Sequence, residues 1–231
     1  ERIFEILDEE EQSPDDNDAR ILVREDAKGE VCFEDVSFRY EDNIPLIDNM
    51  NIHVKPGQMV AIVGPTGAGK TTLVNLMLRF YELRGGRITI DGIDIAKIER
   101  GNLRGLFGMV LQDTWLYKGT IMENIGYSLG DAEPEKIVEA AKAAYADHFI
   151  RSLPEGYDTI LNEEASNISQ GQRQLLTIAR AILADPPIMI LDEATSSVDT
   201  RTELLIQKGM GELMKERTSF VIAHRLSTIK N

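Results

Sequence analysis

The chain has 231 residues, 42% hydrophobic and 28% charged, enough for one large α/β domain of ordinary globular composition. Asp and Glu outnumber Lys and Arg by 39 to 25, and the resulting net charge of -14 disfavours a nucleic-acid-binding surface. No apolar run approaches the roughly 20 residues of a membrane-crossing helix, no signal peptide is evident, and the single cysteine, Cys32, leaves no internal disulfide and fits a reducing compartment.

From the N-terminus, ERIFEILDEE places Ile3, Phe4, Ile6 and Leu7 on one side of a short helix. EEEQSPDDNDAR then reads as an acidic, proline-broken spacer. The runs VCFEDVSFRY, NMNIHV, QMVAIV and GRITID are strand-like, and the absence of a long helical pattern before about residue 57 predicts an antiparallel β subdomain. Within the first run, Cys32 is expected as a small core residue, and Val36, Phe38 and Tyr40 share one strand face. KTTLVNLMLRF carries Leu73, Leu76, Met77 and Phe80 at helical spacing.

Residues 113 to about 180 are predicted to be mostly helical. Thr120 and Glu123 form a capping box, EPEKIVEAAKAAYADHFI is amphipathic, and QGQRQLLTIARAILA is a helix that stops before Pro186 and Pro187. IMIL and SFVIA read as short buried strands, and strands alternating with helices predict a mainly parallel core sheet. The chain opens on ERIFEIL and closes on STIKN, as expected of a piece of something longer.

The chemistry concentrates in a few stretches. GPTGAGKT, Gly64 to Thr71, fits G-x-x-x-x-G-K-[ST] and lies between a predicted strand and a predicted helix. Its glycines let the backbone fold around phosphate oxygens, while N–H groups and a helix N-terminus supply positive potential. Lys70 is positioned to reach β- and γ-phosphates, and Thr71 to offer its hydroxyl to Mg²⁺. IMILDEATS ends an apolar strand in Asp192, a candidate Mg²⁺ contact through water, with Glu193 beside it as an acceptor for a proton from attacking water. NISQGQRQLL, residues 167 to 176, sets hydroxyls and amides at a helix start and so also suits an anion. Gln112, His224 and Tyr40 each end a strand-like run, and Asp199 precedes a helix that it is suited to cap.

In this order, Tyr40, GPTGAGKTT, LQD, SQGQRQ, ILDEATS, SVD and AHR resemble the nucleotide-binding domain of ATP-binding-cassette (ABC) transporters across nearly the whole chain. The resemblance implies an α/β fold with a P-loop NTPase (RecA-like) core, an antiparallel β subdomain and an inserted helical subdomain at about 113–180. It further implies a linker from a membrane domain over 1–28 and an ATPase domain over 29–231. ATP would be held by Tyr40 against the adenine and by Gly64, Pro65, Thr66, Gly67, Ala68, Gly69, Lys70, Thr71 and Thr72, with Ser169, Gly171 and Gln172 acting from a second copy. Mg²⁺ would meet Thr71, Gln112 and Asp192; Glu193, His224, Lys70 and Gln112 would serve hydrolysis; Asp199 would work at the dimer interface.

ERIFEILDEE and GTIMENI are similar to exporters of this family, which implies an ATPase at the cytoplasmic face of the cell membrane. Its partners would be a second such domain and a membrane-spanning domain, and no nucleic acid. Two positions depart from the pattern: NEEA (Asn162 to Ala165) stands where GERG is usual, and Gln170 stands where the signature L-S-G-G-Q has glycine. If position 170 needs a positive φ, Gln170 costs about 1 kcal/mol there. A soluble ABC ATPase working on nucleic acid or ribosomes is disfavoured by the acidic charge, and a regulatory module without hydrolysis by the presence of Lys70, Asp192, Glu193 and His224. A heterodimeric parent with unequal ATP sites stays open as a reading of Gln170.

Overall fold

The computed structural model describes residues 14–15, 18–111, 114–130, 132–193 and 198–223. Strand β1 (Val31–Phe38) pairs antiparallel with β2 (Ile47–Val54). Val31, Phe33, Val36 and Phe38 of β1 are buried, and the step of three between Phe33 and Val36 is a bulge at Asp35, whose φ is 49°. After β3 (Met59–Ile62) and helix α1 (Lys70–Met77), β4 (Gly85–Ile90) returns to the other edge of β1 and β5 (Ile93–Asp94) closes that sheet, giving the order β2-β1-β4-β5. This is the antiparallel subdomain expected from the strand-like N-terminal runs.

A short helix α2 (Arg100–Gly105) leads into β6 (Phe107–Val110). The small pair β7 (Gly119–Thr120) and β8 (Ile160–Leu161) brackets α3 (Ile121–Gly126), α4 (Pro134–Ala143) and α5 (Asp147–Ser152). Helix α6 (Gln170–Ala184), β9 (Ile188–Glu193), α7 (Thr200–Met214) and β10 (Thr218–Ala223) follow. The second sheet runs β3-β10-β9-β6, all parallel. Side chains of β9 alternate between two cores. Ile188 and Ile190 join Phe33, Leu76, Met77, Ile88 and Phe220, whereas Met189 and Leu191 join Leu175, Leu176 and Ile178 of α6. A sheet covered on both faces explains why IMIL is uninterruptedly apolar.

Near the start of the described chain, the Asp15 carboxylate accepts from Arg79 Nη1 at 3.1 Å, Arg100 Nη1 at 2.8 Å and the Arg100 backbone N–H at 2.9 Å. Glu82 accepts from the same two guanidinium groups at 3.0 Å each. Both arginines are buried, so this network fastens residue 15 to the far end of α1 and the start of α2.

Three local expectations change. Helix α1 stops at Met77 rather than running to Phe80, because Arg79 turns into the left-handed region (φ 52°) to reach its carboxylates, and Phe80 lies half exposed under Arg104. The amphipathic run over 133–150 is two helices, broken where Tyr145 adopts φ 59°; Gly209 of α7 packs close to the Ala144 carbonyl at that break. Cys32 is not a core residue. It is partly exposed, on the face of β1 opposite Val31 and Phe33. ERIFEILDEE lies outside the described residues.

Candidate functional site

The glycine loop joins the carboxyl end of β3 to the N-terminus of α1. Gly67 and Gly69 have φ of 83° and 85°, in the region that favours glycine, and a Cβ on Gly67 would meet nothing within 4 Å. Gly69 is the N-cap of α1 and contributes no side-chain cap, so the first-turn N–H groups remain available to an anion. Lys70 Nζ donates to the carbonyls of Gly64 at 2.8 Å and Pro65 at 3.0 Å, which holds its charge at the mouth of the loop. Around these groups lies a cavity of about 470 Å³, lined by Thr66, Gly67, Lys70, Thr71 and Thr72 together with Tyr40, Leu46, Asp192 and Ile222.

Register across the parallel sheet explains how Asp192 reaches that cavity. Ile62 at the end of β3 pairs with Ile222, and Ile222 pairs with Asp192. Asp192 therefore sits two strands, about 10 Å, from the root of the glycine loop, on the carboxyl edge where parallel sheets bind ligands. The backbone of Glu193 continues β9 by one residue, opposite Ala223. On the other wall, Tyr40 lies just past the end of β1, half exposed, with its hydroxyl 3.0 Å from Thr72 Oγ1 and its ring edge-on to Phe38 and Tyr81. Gln112 and His224 lie outside the described residues.

The second anion-suited stretch is elsewhere. Ser169 caps α6 and accepts from Gln172 N–H, while Gln172 Oε1 accepts from Ser169 N–H, a capping box. Ser169 and Gln172 line a different cavity, of about 540 Å³, with Tyr145, His148, Asp199 and Arg201. No residue of α6 lines the glycine-loop cavity. The glycine loop and the start of α6 thus open onto separate cavities. Asp199 caps α7, accepting from Arg201 N–H at 3.1 Å and Thr202 N–H at 3.0 Å, and these bonds, Thr202's first, hold its carboxyl below the usual range.

Gln170 is the first residue of α6, exposed, and absent from the positive-φ residues, so the backbone strain anticipated for it does not arise. Gly171 has a packing reason to be glycine: a Cβ there would lie 2.4 Å from Thr202 Cγ2 and 2.9 Å from Val198 Cγ1. Sequence reading missed Leu46, whose side chain lies beneath Gly69, because a lone leucine between strands carries no motif. It also missed Arg180. This guanidinium donates to the carbonyls of Asn124 at 2.8 Å and Trp115 at 3.0 Å and lies over the rings of Trp115 and Tyr127. Burial lowers its pKa from the ordinary arginine value. Through Arg180, the helix that begins at Ser169 is tied to an aromatic patch of exposed Trp115 and Tyr127 with partly exposed Tyr117.

Comparison with known proteins adds family context to this geometry. The sequence pattern of the ABC transporter family matches residues 47–196. A fatty acid ABC transporter ATP-binding/permease protein of Mycobacterium bovis is 57% identical over 231 residues, which is 100% of this chain and 36% of that protein. An ATP-dependent lipid A-core flippase of Desulfotalea psychrophila is 49% identical, again over 100% of this chain and 40% of its own length. Among solved structures, a bacterial Atm1-family ABC exporter with ATP bound superposes with a TM-score of 0.87 at 40% identity, covering 100% of this chain and 40% of that one. The chain therefore spans well under half the length of these relatives.

Proposed function

Because the chain belongs to the ABC transporter family and has its P-loop NTPase fold, we propose that it is the ATP-hydrolysing domain of an exporter. In this reading it works at the cytoplasmic face of a membrane. The observation that carries the proposal is the Gly64–Thr71 loop, with its left-handed glycines and uncapped helix N-terminus, opening onto one cavity with Tyr40 and Asp192. The half-exposed ring of Tyr40 offers a face to adenine. The loop N–H groups and Lys70 receive the phosphates, where preorganised donors stabilise charge without reorganising.

The donor types proposed for this site also suit Mg²⁺. The Thr71 hydroxyl, the Asp192 carboxylate and the Gln112 side-chain oxygen are hard donors, and the ion when bound neutralises charge on the β- and γ-phosphates. Glu193, one residue past Asp192, is proposed to accept the proton of the attacking water, and His224, next after β10, to contact the γ-phosphate.

Two copies are required in this reading. Ser169 and Gln172 line a cavity separate from that of the chain's own glycine loop, and we assign them, with Gly171, to the nucleotide held by a second ATPase domain arranged head to tail. The separation of the two cavities supports that arrangement. The exposed Trp115–Tyr127 patch, anchored by Arg180 to α6, is the proposed seat of the membrane-spanning partner, and the relatives named ATP-binding/permease proteins support such a partner. Movement at that patch and closure on the partner's nucleotide then share one rigid helix.

Glu193→Gln tests the assignment. ATP binding should persist, steady-state hydrolysis should fall by about 10²–10⁴-fold, and a dimer should accumulate with ATP during size-exclusion chromatography. Normal turnover in that variant would remove Glu193 as the base. Loss of ATP binding in Glu193→Gln but not in Lys70→Ala would reject the site as a whole.

A further inference from the structure

On the outward face of the antiparallel sheet, away from the nucleotide cavity, a carboxylate, a thiol and an imidazole converge. The ligand atoms of Glu30, Cys32 and His53 all lie within 4.8 Å of one another. Strand geometry brings them together. Cys32 and His53 are directly opposed partners across β1 and β2, and Glu30, two residues before Cys32, projects to the same face. His53 Nε2 is 2.8 Å from Glu30 Oε1. All three are accessible, Glu30 and Cys32 partly and His53 openly, so an ion reaches them without disturbing the core.

We propose that Glu30, Cys32 and His53 form a zinc-binding site that pins β1 to β2. A tetrahedral Zn²⁺ with bonds of about 2.0–2.3 Å spaces its ligands roughly 3.3–3.8 Å apart, a spacing these side chains reach by small rotations. One sulfur and one imidazole nitrogen select a borderline-soft ion over Mg²⁺, which demands oxygen donors. Three protein ligands leave the fourth position to water.

The local charges agree with that chemistry. The carboxylates of Glu30 and Glu34 put negative charge around Cys32, which favours a cation there. A bound zinc ion deprotonates a coordinating thiol outright. Binding forms a Zn–S bond and releases the thiol proton to solvent, with no change of oxidation state. Thr89 is the directly opposed partner of Cys32 on β4.

The test uses the reduced 231-residue chain, titrated with Co²⁺ as a spectroscopic stand-in for zinc. Cys32 is the sole cysteine, so a thiolate-to-Co²⁺ charge-transfer band in the near ultraviolet reports this site alone. The band should saturate at one ion per chain, be displaced by Zn²⁺, and vanish in Cys32→Ser. Affinity should drop by about tenfold or more in His53→Ala and in Glu30→Gln, at least the loss seen when a mere outer partner of a metal ligand is removed. Zn²⁺ should raise the melting temperature of the parent chain and not of Cys32→Ser. Absence of the band with excess Co²⁺, a stoichiometry of one ion per two chains, or unchanged affinity in His53→Ala would each overturn the proposal. In those cases Glu30 and His53 form only a surface ion pair.

Discussion

At Gly171, one missing methyl group decides how two helices meet. Adding it places carbon within 2.4 Å of Thr202 Cγ2, on the first turn of α7. Gly171→Ala should therefore destabilise the fold by about 1–3 kcal/mol, the usual cost of overpacking. Its neighbour behaves differently. Gln170→Gly removes an exposed side chain from the first helical position and should cost under about 1 kcal/mol. Urea melts of the two variants read the contrast directly; equal losses would mean that α6 and α7 do not meet as described. Any change in ATPase rate caused by Gln170→Gly must then come from its amide, since no strained backbone is relieved.

These neighbours also show what was legible in the sequence. The glycine loop was, because its residues act on one another over eight consecutive positions between a strand and a helix. The reason for Gly171 was not, because Thr202 lies in another helix and no local pattern links them. Cys32 was legible and misread: strict alternation with buried Val31 and Phe33 already places it on the outer face. The small left-handed breaks at Arg79 and Tyr145 were hidden, since neither is glycine or proline, and tertiary contacts at Asp15 and Gly209 decide them.

Between elements, α5 is held to the turn that follows it by a polar contact. The Tyr157 hydroxyl donates to Asp147 Oδ1 at 2.7 Å, and Arg151 Nε donates to the same carboxylate at 2.9 Å. Burial of Asp147 pushes its pKa up, but the bonds from Tyr157 and Arg151 outweigh it and hold the carboxyl below the ordinary 3.8. A depressed folded pKa contributes stability that is present above the unfolded value and is lost as pH falls through the folded one. Tyr157→Phe should accordingly cost about 1 kcal/mol at neutral pH, and the difference from the parent should shrink as pH drops below about 3.8. Thermal melts at pH 7 and pH 3 check it, and a gap that widens in acid would contradict the sign.

For the molecule as a whole, two cores share one parallel sheet, and β9 contributes to both through alternate side chains. The cavity with the glycine loop lies at the edge where that sheet ends, so its walls come from segments far apart in sequence, Tyr40 to Ile222. The stretch before β1 is fastened to this body by Asp15. Asp15→Ala removes three accepted hydrogen bonds from partners that keep Glu82, and should lower stability by about 1–3 kcal/mol. A urea midpoint unchanged by that substitution would show the contact to be incidental.

The Asp15 contact has a mechanical corollary. Helix α1 begins at Lys70 in the glycine loop and ends at Met77, two residues before the Arg79 that Asp15 grips. Eight residues of helix make a rod about 12 Å long. A pull on the chain ahead of residue 15 is therefore delivered to one end of a stiff strut whose other end carries Lys70.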